Sequence, residues 1–136
     1  MTYRVAVRAL CEFTAKEGDL DLRFTPAPTA QEGIAGHQTV VGRRGPDYIS
    51  ELVLAGSYPG LLVAGRADGF DPSQNLLEEI KTHRGDVSRI PDNHRSLHWA
   101  QVKIYGWLLC VELELAALDL GVGYFNVITQ HATPYP

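Results

Sequence analysis

The chain reads as an α/β domain: a central mixed sheet carrying an antiparallel meander, flanked by helices. Three observations predict it. Apolar residues recur at helical spacing up to about Arg44, switch to a period of two between Ser50 and Thr82, and return to helical spacing from Leu97. The two breaks inside the middle stretch, Gly56-Ser57-Tyr58-Pro59-Gly60 and Asp71-Pro72-Ser73-Gln74, are built from turn formers. A length of 136 residues suits one domain with one real core, so residues 1–136 are read as a single unit.

Taken in order, Tyr3 to Ala6 suits a short strand. Val7, Leu10, Cys11 and Thr14 then recur at helical spacing, with Gly18 as a natural stop. Asp19 to Pro28 carries two prolines and reads as a connector. Thr29 with Glu32 three residues later is a capping box, opening a helix through about Arg44 that Gly45-Pro46 ends. Gly33, Ile34, His37 and Val41 share one face of it, which points His37 into the protein. Ser50–Ala55, Leu61–Phe70 and Asn75–Thr82 are the three strands of the meander. His83 to Ser96 is polar, basic and broken by Gly85 and Pro91, hence a long loop. A helix from about Leu97 to Leu120 buries Leu97, Ala100, Ile104, Leu108, Val111 and Leu115. Gly121 to Gly123 terminates it, and Tyr124–Thr129 forms a last strand. Pro134-Tyr135-Pro136 reads as the start of a linker, as in a domain cut from a longer protein.

Composition narrows the function classes. The 45% hydrophobic and 21% charged content is that of a soluble globular protein. No apolar run reaches membrane-spanning length and no basic-then-apolar leader opens the chain, so a cytoplasmic protein with no membrane partner is expected. Twelve Lys and Arg against sixteen Asp and Glu give a net charge of −4, which argues against a module that coats DNA by charge alone. It argues less against a metal nuclease, whose site must gather carboxylates. Basic residues do cluster locally, at Arg43 and Arg44 and again at His83, Arg84, Arg89, His94 and Arg95. Cys11 and Cys110 are the only cysteines, too few for a four-thiolate zinc or iron–sulfur site within this chain. Each sits in an apolar run, as a small buried hydrophobe would.

The chemistry-bearing stretch is Gly65-Arg66-Ala67-Asp68-Gly69-Phe70 followed by Leu77-Glu78-Glu79-Ile80-Lys81-Thr82. Glu79 and Lys81 lie two apart on a strand and project from one face, with Asp68 across the hairpin. Two converging carboxylates make a hard-oxygen site suited to Mg²⁺ or Mn²⁺, and a lysine beside them can orient water or stabilise charge developing on a phosphate. An Asp, a Glu and a Lys near a hairpin are more often just its solvated face. The order of further residues shifts that balance: His37 on the preceding helix, then Asp68, then Glu79-Ile80-Lys81, then Gln101 and Tyr105, four apart on the long helix.

In that ordered set the chain resembles the RecB-like branch of the PD-(D/E)XK nucleases. It is similar to the CRISPR-associated RecB-like exonucleases and to nuclease domains at the N-terminus of iron–sulfur-type superfamily 2 (DinG/XPD-like) DNA helicases. The resemblance spans residues 30 to 130 and rests on Glu32-Gly-Ile-Ala-Gly-His37, Gly65-Arg-Ala-Asp68, Glu79-Ile-Lys81 and Gln101-Val-Lys-Ile-Tyr105. It implies a restriction-endonuclease-like fold and a Mg²⁺- or Mn²⁺-dependent deoxyribonuclease acting with a helicase motor in DNA repair or processing. It implies that His37, Asp68, Glu79 and the Ile80 carbonyl hold the metal, and that Lys81 is the catalytic lysine. Gln101 and Tyr105 would shape the site and hold DNA. Glu51 matches an acidic position whose role is open between pairing with Lys81 and a water-mediated metal contact. Many relatives carry four cysteines around an iron–sulfur cluster, which this chain lacks. DNA, single-stranded or frayed, would approach along the basic stretch that includes Arg84 and Arg95.

Other readings are weaker. There is no G-x-x-x-x-G-K-[ST] phosphate loop, and no serine stands in a nucleophile elbow. His94 and His98 are four apart, but without H-E-x-x-H they suit DNA contact or solvation; Trp99 and Trp107 suit core packing. A catalytically silent DNA-binding module of a helicase is the main alternative, and a partner-docking domain the next.

Overall fold

The computed structural model describes residues 2–14 and 28–135. Its elements are β1 (Tyr3–Ala6), α1 (Val7–Thr14), α2 (Ala30–Gly42), β2 (Ile49–Tyr58), β3 (Leu61–Asp71), β4 (Leu76–His83), a 3₁₀ turn (Val87–Arg89), α3 (Asp92–Leu113), β5 (Asp119–Asn126) and β6 (Ala132–Tyr135). The expected stop at Gly18 and the connector over 19–27 lie outside the described residues. The six strands form one sheet in the order β1-β3-β4-β5-β6, with β2 on β3 as well. It is mixed: β1 with β3 and β4 with β5 run parallel, while β2 with β3, β3 with β4 and β5 with β6 run antiparallel. The α/β class and the β2-β3-β4 meander stand as predicted.

The sheet is covered on both faces, and β4 shows how the sequence divides them. Leu77 packs into the main cluster with Val7, Cys11, Leu97, Tyr105, Leu108 and Leu109, beneath α1 and α3. Ile80, on the opposite side of the strand, packs with Val40 of α2 and Phe125. Each such apolar side chain taken out of water contributes about 1.5–3 kcal/mol. A smaller cluster of Ile90, Val102, Val122 and Tyr124 joins α3 to β5. α2 opens on the predicted capping box: Thr29 Oγ1 accepts from Glu32 N at 3.1 Å and Glu32 Oε1 accepts from Thr29 N at 2.9 Å. It lies so close to the sheet that a Cβ on Gly36 would fall 2.8 Å from Thr82 Cγ2.

Several boundaries differ from the prediction. On α2 the buried face is Gly36 and Val40, while Ile34 is 62% exposed, so the helix is rolled away from the expected stripe. α3 begins at Asp92, inside the stretch read as a loop, because Pro91 supplies the fixed φ of a helix start and His94 and Leu97 are buried in its first turns. It ends at Leu113, where Glu114 turns left-handed (φ 54°) and its N–H bonds the Cys110 carbonyl. Val111 is consequently exposed, whereas Val102, Tyr105 and Leu109 carry burial that the single stripe omitted. Cys110 is only partly buried, unlike Cys11. The glycines expected to stop the helix lie within β5: Leu120, Val122 and Tyr124 alternate with Gly121 and Gly123, a period of two that the glycines disguise. Pro134 and Tyr135, read as the start of a linker, instead end β6, where Pro134 faces Gly123 on an edge strand that tolerates a missing N–H. Among the described residues no helix is long and apolar enough to cross a membrane.

Candidate functional site

β2 pairs with β3 from Leu61 to Phe70, filling one edge of β3. The other edge is shared: β1 takes Leu61–Ala64 and β4 takes Gly69–Asp71. Neither register includes residues 65–68, so the sheet forks there, and Asp68 sits in the fork. Its Oδ2 accepts the Ile80 N–H at 2.6 Å, substituting a side chain for the ladder bond the fork interrupts.

Glu79, next on β4, is 5% exposed and shares a hydrogen bond with the Asp68 side chain, while its Oε2 is left without a partner. Burial pushes the Glu79 carboxyl well above the usual range, and the Asp68 hydrogen bond and charge push the same way; Lys81 opposes them. Lys81 Nζ stands 3.9 Å from Glu79 Oε1. His37 reaches the fork from α2, with Nδ1 3.5 Å from Asp68 Oδ1. It is partly exposed at the site rather than buried with an apolar stripe, a consequence of the rolled helix.

His37 and Asp68 line a groove of about 660 Å³ between α2 and β2, together with Ser50, Glu51, Ile34 and Val41. Glu51 falls between the Ser50–Gly69 and Leu52–Ala67 pairs with φ 54°, a left-handed residue at the groove wall. Behind the carboxylates, Tyr105 of α3 is 7% exposed and rests on Gly65, where a Cβ would lie 2.8 Å from its hydroxyl. Burial, then the Glu79 charge, pushes this phenol up to about 12 against a backbone hydrogen bond from Arg66. Gln101, one turn earlier, is 5% exposed with Oε1 unpartnered.

The fork thus brings together His37, Asp68, Glu79, Ile80, Lys81 and Tyr105. His37 and Glu79 each contact Asp68, yet among the described residues no three His, Cys, Asp or Glu side chains surround a common point that could hold a metal. The donor set nonetheless suits a hard divalent cation: two carboxyls, one of them with a buried oxygen left unpartnered, and an imidazole.

Two basic residues expected to face substrate are engaged elsewhere. Arg84 bonds the Glu32 carboxylate at the start of α2 and holds it down to about 2. Arg95 turns inward, 15% exposed, and donates to the Val87 carbonyl at 2.8 Å. His98 is not solvated: its Nδ1 lies 2.8 Å from the Tyr124 hydroxyl, and burial followed by the Lys81 charge drives it down to about 3. Trp107 is 44% exposed and lies along Gly56, whereas Trp99 packs on the small cluster.

Sequence reasoning missed a second buried carboxylate beside the first. Glu78, 8% exposed, takes Arg44 Nε at 2.7 Å and Nη2 at 3.2 Å, and the Tyr48 hydroxyl at 2.8 Å. Alternation along β4 was the available signal, since Glu78 must face away from Glu79 and toward α2.

No protein-family model matches the chain, and no curated protein sequence matches it. Among solved structures, the crystal structure of SSO0001 is similar, with a TM-score of 0.59 and 21% identity over 99% of this chain and 67% of that one. The likeness is one of fold.

Proposed function

We propose that the chain is a metal-dependent DNA nuclease of the RecB-like PD-(D/E)XK type, with the restriction-endonuclease-like form of the α/β fold. The observation that carries this reading is the carboxyl pair Asp68–Glu79 in the fork, with Lys81 against Glu79 and His37 against Asp68. Lys81 at 3.9 Å does not complete the pairing, and one buried Glu79 oxygen is left without a partner.

In this reading His37, Asp68, Glu79 and the Ile80 carbonyl hold Mg²⁺ or Mn²⁺. A divalent cation there would polarise a phosphoryl oxygen and acidify a water molecule. A bound cation would favour the charged form of Glu79, which burial disfavours. Lys81 orients the attacking water and stabilises the charge that grows on the phosphoryl oxygens. Tyr105 and Gln101 back the site, and Tyr105 fixes β3 at Gly65, three residues before Asp68. The 660 Å³ groove carries the strand, with Glu51 on its wall. A helicase motor would deliver single-stranded or frayed DNA to it.

The test is cleavage of end-labelled single-stranded and duplex DNA in EDTA, Mg²⁺ or Mn²⁺, comparing the wild-type chain with Lys81→Ala and Asp68→Ala. The expected result is metal-dependent cutting that both substitutions abolish. Undiminished cutting by Asp68→Ala would sink the reading; metal-independent DNA binding with no cutting by any form would favour the silent binding module.

A further inference from the structure

Two residues beyond Lys81, and on the same side of β4, lies His83. Here a second cavity of about 140 Å³ opens among the end of β4, the 3₁₀ turn and the first turns of α3, lined by Lys81, His83, Arg84, Arg89, His98 and Tyr124 among others. Its inner wall is buried: Tyr124 is 1% exposed and His83 7%. His83 Nδ1 has no hydrogen-bond partner, a buried polar atom of the kind that native structures seldom leave unmatched. Asp86, the one carboxylate on the lining, is turned onto its own backbone, with Oδ1 accepting the Ser88 N–H at 2.8 Å. His94, also on the lining, belongs to the first turn of α3, whose Pro91 cap makes no side-chain hydrogen bond; the 22-residue helix adds partial positive charge there.

We propose that this cavity receives the terminal phosphate of a DNA strand whose adjoining phosphodiester lies at the Asp68–Glu79 pair. The inference rests on the nuclease reading for that second half. Lys81 serves both places, since it touches Glu79 and lines the cavity. Lys81 and His83 are about 7 Å apart along the strand, a span suited to neighbouring phosphates. The small volume and the buried Tyr124 wall suit a phosphate monoester with no chain continuing beyond it. Arg89, exposed on the lining, is the cation with which a doubly charged terminal group gains more than a singly charged internal one, while Arg84 is held by Glu32.

The experiment measures binding of the chain in EDTA, where nothing is cut, to labelled single strands bearing a 5′-phosphate, a 3′-phosphate or only hydroxyl ends. One phosphate-bearing end should bind on the order of tenfold more tightly than the hydroxyl-ended strand. Inorganic phosphate should erase that advantage, as should Arg89→Ala, whose exposed side chain leaves folding intact, and His83→Ala, checked by its melting temperature. Equal affinity for all three strands, or an advantage that survives Arg89→Ala and excess phosphate, overturns the pocket. Cleavage assays on the same strands separate the two readings. Metal-dependent cutting without end preference removes the pocket and keeps the nuclease; end preference in a chain that never cuts keeps the phosphate site and removes the nuclease.

Discussion

Glu78 and Glu79 are neighbours on one strand, equally buried, and opposite in every other respect. Glu78 faces α2 and has its carboxylate filled by two Arg44 nitrogens and the Tyr48 hydroxyl. Glu79 faces the other way, has its carboxyl pushed up by burial and then by Asp68, keeps Lys81 at 3.9 Å and leaves one oxygen unmatched. The first is a clasp that fastens the end of α2 to the sheet. The second is a cost the fold carries, since a desolvated carboxyl without full pairing destabilises the folded state. Burial alone therefore says nothing about role; the completeness of the partners does.

The sharpest way to break this contrast is to neutralise each glutamate. Glu79→Gln should lower DNA cleavage by about 10²–10³-fold, as loss of a group acting on developing charge does, while the melting temperature holds or rises. A variant that cleaves normally would make Glu79 a bystander. Glu78→Ala should do the reverse. It should lower the unfolding free energy by about 2–3 kcal/mol in urea titrations, a figure held below that of a fully buried pair because Arg44 is 32% exposed. An unchanged midpoint would show the clasp to be idle.

Glycines sharpen the comparison at smaller scale. Gly65→Ala drives a methyl into Tyr105 Oη, Tyr105 Cε1 and Val7, and should cost about 1–3 kcal/mol. Gly42→Ala meets nothing within 4 Å at the end of α2 and should be neutral or stabilise by about 0.5–1 kcal/mol. Paired melts decide whether the two have opposite signs. The smallest effect concerns pH. His98 is held down to about 3 by burial, against 6.5 for the free side chain. Between these values the unfolded chain takes up a proton that the folded chain refuses. The contribution is thus fully present above 6.5 and is lost as pH falls toward 3. Melting temperature against pH should be flatter in this window for His98→Gln than for wild type; parallel curves would show the imidazole to be solvated.

Much of this was legible because local rules acted alone. Thr29 and Glu32 named the start of α2, and the turn formers at 56–60 and 71–74 set the meander. The Asp68, Glu79 and Lys81 cluster followed from strand alternation. What escaped was decided by tertiary contact. Residues 92–96 have a loop's polarity, and α3 includes them because His94 and Leu97 find burial below. The glycines of β5 look like breakers until β4 is placed beside them. The direction of His37 depended on how closely α2 approaches Thr82 and Phe125, which the bare Cα of Gly36 permits. Arg84 and Arg95 looked like phosphate ligands because no local rule reveals Glu32 or the Val87 carbonyl nearby.

The Ile80 N–H bonded to Asp68 Oδ2 makes one backbone amide a natural spectroscopic probe. Its proton resonance senses the charge and position of that carboxylate directly, without substrate. Titration of diamagnetic Mg²⁺ into isotopically enriched protein can therefore be followed at a single peak, and the occupancy of the fork read independently of whether any phosphodiester is ever broken.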